Sequence, residues 1–128
     1  MIQLSECRVT DRVIVKNEGQ LMEGTILEVN HDDKQVCVLT NEQQEFWYPL
    51  EEIFPIVLND QELARLKFQE EAQDNGERLF VRGPFSVKFY GNDRLELVYR
   101  DETRDIQGPI TVHQLQNHYE RMTKVHLE

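Results

Sequence analysis

Between residues 12 and 58 the chain packs run after run of strand-forming residues, each cut short by turn formers, and this spacing restricts it to a small antiparallel unit. Arg12-Val13-Ile14-Val15-Lys16 is β-branched and compact, and Asn17-Glu18-Gly19-Gln20 tolerates turn dihedrals before a second run from Met22 to Val29. Asn30-His31-Asp32-Asp33-Lys34 separates that run from Gln35-Val36-Cys37-Val38-Leu39-Thr40, which is apolar on both faces and belongs inside a covered sheet. Asn41-Glu42-Gln43-Gln44 makes the next turn. Glu45-Phe46-Trp47-Tyr48 is a fourth strand stopped by Pro49, and Leu50-Glu51-Glu52-Ile53 reads as a single helical turn leading into a last strand, Phe54 to Leu58. Five short strands with one turn before the last match the order of a small SH3-like or Tudor-like β-barrel, and closure would remove the sheet edges.

A linking helix should follow. Asn59 can cap it with Glu62 three residues later, and its narrow stripe of Leu63, Leu66 and Phe68 predicts a surface helix running to about Ala72, with a polar loop to Gly76. From Arg78 the pattern alternates with period two. Phe85, Val87 and Phe89 should share a face with Leu95, Leu97 and Tyr99 across a hairpin turn at Gly91-Asn92-Asp93, and Arg104-Asp105-Ile106 reads as a short last strand.

The C-terminal stretch ITVHQLQNHYERM carries a second capping box, Thr111 with Gln114, so a helix should start at Val112 and bury Val112, Leu115, Tyr119 and Met122. Ile110 and Leu115 are placed as a hydrophobic staple. His113 and His118 are five residues apart, roughly 140° around a helix, whereas two ligands on one helical face want a spacing of three or four. They cannot share a metal. His113 therefore reads as a surface or interface residue near the helix start, and His118 as a partly buried packing residue.

Charge narrows the functional classes. In a chain of 128 residues, 24 acidic residues against 14 basic ones leave a formal charge of −10, whereas phosphate backbones are bound by clustered Lys and Arg that release counterions. Direct nucleic-acid binding is not expected. Cys7 and Cys37 have no CxxC spacing and no neighbouring His or Cys, so they read as buried free thiols of a reducing compartment, with no metal and no cofactor. No window approaches the ~20 apolar residues of a membrane span, and a cytoplasmic protein is the default.

Several polar groups could suggest catalysis. His31-Asp32-Asp33 joins an imidazole to two carboxylates, but turns favour such residues for backbone reasons alone. Glu51-Glu52 and Glu70-Glu71 are neighbours that diverge around a helix and read as solvated faces. There is no GxSxG, P-loop, GxGxxG or HExxH, and only Ser5 and Ser86 are available as serine nucleophiles. Phe46-Trp47-Tyr48 is different. Exposed aromatics on a Tudor-like barrel can cage a cation at about 0.5 to 2 kcal/mol, although alternation puts Trp47 opposite Phe46 and Tyr48, so one side must serve the core.

Three stretches carry a likeness beyond these patterns: Arg8-Val9-Thr10-Asp11-Arg12-Val13, Ile53 through Leu63, and Val112-His113-Gln114-Leu115-Gln116-Asn117. With them the chain resembles a family of short uncharacterised proteins found mainly in Bacteroidota and their mobile or phage-derived elements, whose members end in a VHQLQN helix followed by a tyrosine and a Leu-Thr-Gly segment. Tyr119 fits that ending, while Met122-Thr123-Lys124 departs from it. The resemblance implies organisation but no chemistry, and a mobile-element setting would suit an accessory protein that acts by contact.

The expectation is thus an α+β protein: an SH3-like barrel over 1–58, a linking helix and loop over 59–76, and over 77–128 an antiparallel sheet packed against a helix, all as one compact unit. The leading function is a non-enzymatic protein-binding module using Phe46, Trp47, Tyr48, His113, Gln116 and Asn117, with an unknown protein partner. A homodimer would also cover an exposed aromatic patch. Two alternatives stand beside it: an acidic mimic of nucleic acid that blocks a DNA-handling enzyme, and an enzyme using His113 or His31 in a cleft.

Overall fold

A computed structural model describes residues 2–41, 43–73, 76–91 and 93–127. It is an α+β protein of two five-stranded antiparallel sheets and two helices. The chain divides into two compact units: residues 1–57 with 111–117, and residues 58–110 with 118–128. This division differs from the contiguous one expected from sequence, because the C-terminal helix gives its first half to one unit and its second half to the other.

The first sheet holds β1 (Arg12–Asn17), β2 (Gln20–Asn30), β3 (Gln35–Thr40), β4 (Glu45–Pro49) and β5 (Ile53–Phe54), in the order β4-β3-β2-β1-β5. Glu18 and Gly19, both with positive φ, form the tight β1–β2 turn whose twist suits a two-residue hairpin. A 3-10 turn, Leu50–Glu52, joins β4 to β5, which pairs Ile14 with Phe54 and Val15 with Ile53. This last strand is shorter than the expected Phe54 to Leu58. Pro55 cannot donate to the ladder, and beyond it Val57 makes only an isolated bridge to Thr111. Val13, Val15, Ile26, Val36, Val38, Tyr48 and Ile53 form the core, with Ile2 and Cys7. The turn expected at Asn41 to Gln44 includes Glu42, which lies outside the described residues.

Gly24 sits in β2 between Val13 and Thr40. A Cβ there would overlap a methyl of Val38 and come within 2.8 Å of the Leu39 carbonyl oxygen. Gly24→Ala should therefore cost about 2 kcal/mol through overpacking against backbone that cannot move aside, read as a lower urea midpoint. An unchanged midpoint would mean that β2 and β3 can part without cost.

The second unit begins with α1 (Asp60–Arg65), capped as expected by the Asn59 side chain accepting from the Glu62 N–H at 2.9 Å. The helix stops seven residues short of Ala72. Lys67 takes a positive φ, the Phe68 N–H donates back to the Leu63 carbonyl, and Phe68 turns inward to be buried. The polar residues after it do not continue the helix. Gln69–Glu71 is a strand, β6, in a sheet of order β10-β9-β8-β7-β6 with β7 (Arg78–Arg82), β8 (Phe85–Gly91), β9 (Arg94–Tyr99) and β10 (Glu102–Gln107). Glu70 faces Phe80 in register, and the main-chain pairing of β6 to β7 is available to any sequence without proline. Asp74 and Asn75 of the expected loop, and Asn92 of the expected hairpin turn, lie outside the described residues. The expected cross-strand pairs hold: Phe85 with Tyr99, Val87 with Leu97 and Phe89 with Leu95.

The second helix, α2 (Val112–Thr123), starts where the capping box puts it, with the Gln114 side chain accepting from the Thr111 N–H at 3.0 Å.

Candidate functional site

The residues expected to bind a partner fall into two groups that the fold treats in opposite ways. His113, Gln116 and Asn117, expected on an exposed polar face of α2, are buried; His113 is 1% exposed. Their polar atoms are turned onto the segment that leads into β1. Gln116 accepts from the Arg12 N–H at 2.9 Å and donates to the Thr10 carbonyl, and Asn117 donates to the Glu6 carbonyl at 2.7 Å. His113 Nε2 lies 2.9 Å from Glu6 Oε2, and its Nδ1 lies 3.0 Å from the Thr111 hydroxyl. Since a carboxylate oxygen only accepts, the His113 Nε2 carries a proton and donates it. Two side chains of this helical face, Gln116 and Asn117, therefore close open backbone groups of residues 6–12, and a third, His113, holds the Glu6 carboxylate beside them.

This cluster is a hydroxyl, an imidazole and an acid in a row, the connectivity of an activated nucleophile. Its ring is sealed in and both nitrogens are occupied, so no nitrogen remains to take a proton from a bound molecule. The thiol beside it is unreactive too: burial, with Asp11 and Glu6 adding to it, pushes Cys7 up to about 11, and the protonated form is a poor nucleophile. The arrangement ties helix to strand. Correcting the expectation, His113, Gln116 and Asn117 are not a contact surface. His31 lies in the β2–β3 turn, where Asn30 caps the Asp33 N–H at 3.0 Å, as a turn requires.

His118 belongs to the second unit, partly buried as expected, with Arg104 Nη1 3.2 Å from its Nδ1. Burial first, then Arg104 and Arg121, hold this imidazole below its ordinary range. The unfolded ring charges near pH 6.5 while the folded ring resists the proton, so stability is full above that pH and declines as the pH falls toward the lowered folded value. Melting temperatures between pH 7 and 5 should drop less in His118→Gln than in the parent protein. Equal slopes would remove His118 as the cause.

The aromatic trio divides along its strand. Tyr48 stands opposite Val36 in the ladder and joins the core at 4% exposure, whereas Phe46 and Trp47 are 46% and 45% exposed. Alternation places Trp47 on the other face, opposite Cys37. Phe46 and Tyr48 meet edge to face with ring centroids 6.4 Å apart, an arrangement worth about 1 kcal/mol beyond area burial.

Beside them lies a groove of about 510 Å³, inside the roughly 300–1,000 Å³ range of ligand pockets. β1 supplies Lys16, the β1–β2 turn Glu18, β4 supplies Phe46, Trp47 and Tyr48, the 3-10 turn supplies Glu51 and Glu52, and β5 supplies Phe54, which is 37% exposed. Glu51, Glu52 and Phe54 were legible only as a solvated turn and a strand start. Their placement around the aromatics comes from the antiparallel return of β5 onto β1, for which periodicity carries no signal. Burial, and next the charge of Glu52, push the Tyr48 phenol up.

The class defined by fold and site is an antiparallel α+β protein with an aromatic groove rimmed by carboxylates. Neither the models of known protein families nor the curated proteins give a match to this chain.

Proposed function

We propose that this protein is a non-enzymatic interaction module that holds a protein partner in the groove between β4, the β1–β2 turn and the Leu50–Glu52 turn. The observation that carries this reading is the pair of half-exposed rings, Phe46 and Phe54, on the wall of a concave site of ligand-binding size. Apolar rings left in water at the edge of a groove gain free energy when something covers them.

We read the first unit as an SH3-like barrel. The order β4-β3-β2-β1-β5, a 3-10 turn before the last strand and the return of that strand onto β1 support this assignment. The buried free thiols Cys7 and Cys37 suit a reducing compartment, so a cytoplasmic setting belongs to the same proposal.

The mimicry alternative needs carboxylates in an unbroken row. Many acidic groups are instead neutralised in pairs, such as Glu23 with Arg12, Asp60 and Glu70 with Arg78, and Glu77 with Lys88. The enzyme alternative would have to act through His31, exposed in the β2–β3 turn, since the His113 ring is sealed.

Affinity capture from a native lysate at low and at high salt separates these readings. The module reading expects a partner that survives high salt and is lost when Phe46 and Phe54 are both replaced by alanine, in a variant whose far-ultraviolet circular dichroism matches that of the parent protein. A DNA-handling enzyme released by salt and indifferent to the double variant would establish mimicry instead. Recovery of background alone would remove the module reading.

A further inference from the structure

We propose that the groove receives an arginine side chain from a basic segment of the partner, its guanidinium stacked on Phe46 or Phe54 and held by Tyr48, Glu51 and Glu52. The inference rests on the interaction-module reading and adds the chemistry of the ligand to it.

The first support is Tyr48. Its ring lines the groove, it is 4% exposed, and its buried hydroxyl has no hydrogen-bond partner among the described residues. A buried hydroxyl left unmade is costly, and native structures keep few of them without a reason. Tyr48 and Glu52 both line this groove. A donor entering the groove would complete it.

The second support is charge. Glu18, Glu51 and Glu52 line the groove against a single cation, Lys16. On the surface of the second unit, by contrast, Asp60 and Glu70 share Arg78 at 2.8 Å each. The groove has the ring faces and the carboxylates of such a pair without its guanidinium.

Geometry chooses among cations. A guanidinium is planar, lies flat on an aromatic face, and still presents five N–H donors in its plane to carboxylates and a phenol oxygen. A quaternary ammonium would satisfy the rings but donates nothing, leaving Tyr48 unpartnered. A lysine ammonium donates, but it is compact and strongly hydrated and does not stack. Only the guanidinium uses both halves of the site.

Titration of the isotopically labelled protein with N-acetyl-arginine methylamide, followed by amide NMR, tests this. Shifts should concentrate at Phe46, Tyr48, Glu51, Glu52 and Phe54; the lysine counterpart should bind at least threefold more weakly, and the uncharged citrulline counterpart should leave those amides unmoved. Tyr48→Phe keeps the ring and should weaken the arginine probe several-fold, as should Glu51→Gln combined with Glu52→Gln. Equal binding of arginine and lysine probes, binding of citrulline, or shifts scattered over the acidic surface would overturn the proposal, as would the absence of shifts. A captured partner that depends on Phe46 and Phe54 but is not displaced by the arginine probe sinks this inference and leaves the module reading standing. A capture that ignores both rings sinks the module reading itself.

Discussion

His113→Ala should lower the stability of the protein by about 3 kcal/mol, a core-sized loss at a position whose side chain is formally polar. The substitution removes two hydrogen bonds, to Glu6 and to Thr111, and empties the volume of a ring that is 1% exposed. It also frees the Leu4–Glu6 turn, whose carboxylate holds Nε2 and whose main chain is held separately by Asn117. Urea unfolding of this variant beside His126→Ala provides the comparison, because His126 is exposed, with its ring Nδ1 3.2 Å from the Glu120 carboxylate. The exposed change should cost no more than about 0.5 kcal/mol. If the two variants unfold alike, the buried clasp does not exist in solution and the helix face is a surface after all.

A loss of similar or greater size is expected in the second unit. Phe85 is fully buried and central to a ring cluster: Tyr119 stands 4.7 Å away by centroid, Phe68 6.1 Å and Tyr99 6.4 Å. Phe85→Ala should cost about 4 kcal/mol, because three aromatic neighbours fixed on a strand, a helix and the turn after α1 cannot all collapse into the space. Near-ultraviolet circular dichroism should lose most of its tyrosine signal along with the stability. A cost below about 1 kcal/mol would show that the cluster repacks freely, contrary to the close-packed interior expected of a folded unit.

Both variants bear on how far the pattern of residues could be read. Elements governed by local rules appear where the rules put them. Gln35–Thr40 is a strand over the expected span, the faces of β8 and β9 pair as alternation requires, and both helices begin at their capping boxes. The end of α1 was not legible in this way. A polar run after Phe68 reads as helix by propensity, yet the burial of Phe68 and the left-handed Lys67 stop it, and β6 forms because the edge of β7 offers unpaired main-chain groups.

The candidate site was half legible. The aromatic strand stood out by composition, and alternation announced that its rings would divide between core and surface. The carboxylates on the opposite wall did not, since Glu51 and Glu52 are unremarkable on a short turn and gain meaning only when β5 returns to β1.

What the sequence determined by itself was everything set by neighbours a few positions apart: strand and helix starts, hairpin faces, the acidic charge and the stripe of α2 that turns inward. What tertiary structure alone decided was the fate of the polar face of that helix. His113, Gln116 and Asn117 read as solvent-facing because no nearby residue could satisfy them. They are buried because groups 107, 104 and 111 positions earlier in the chain, at Glu6 and Arg12, arrive to hydrogen-bond with them. A polar side chain can leave water once its partners are supplied, and a local pattern does not record partners that only the fold brings near.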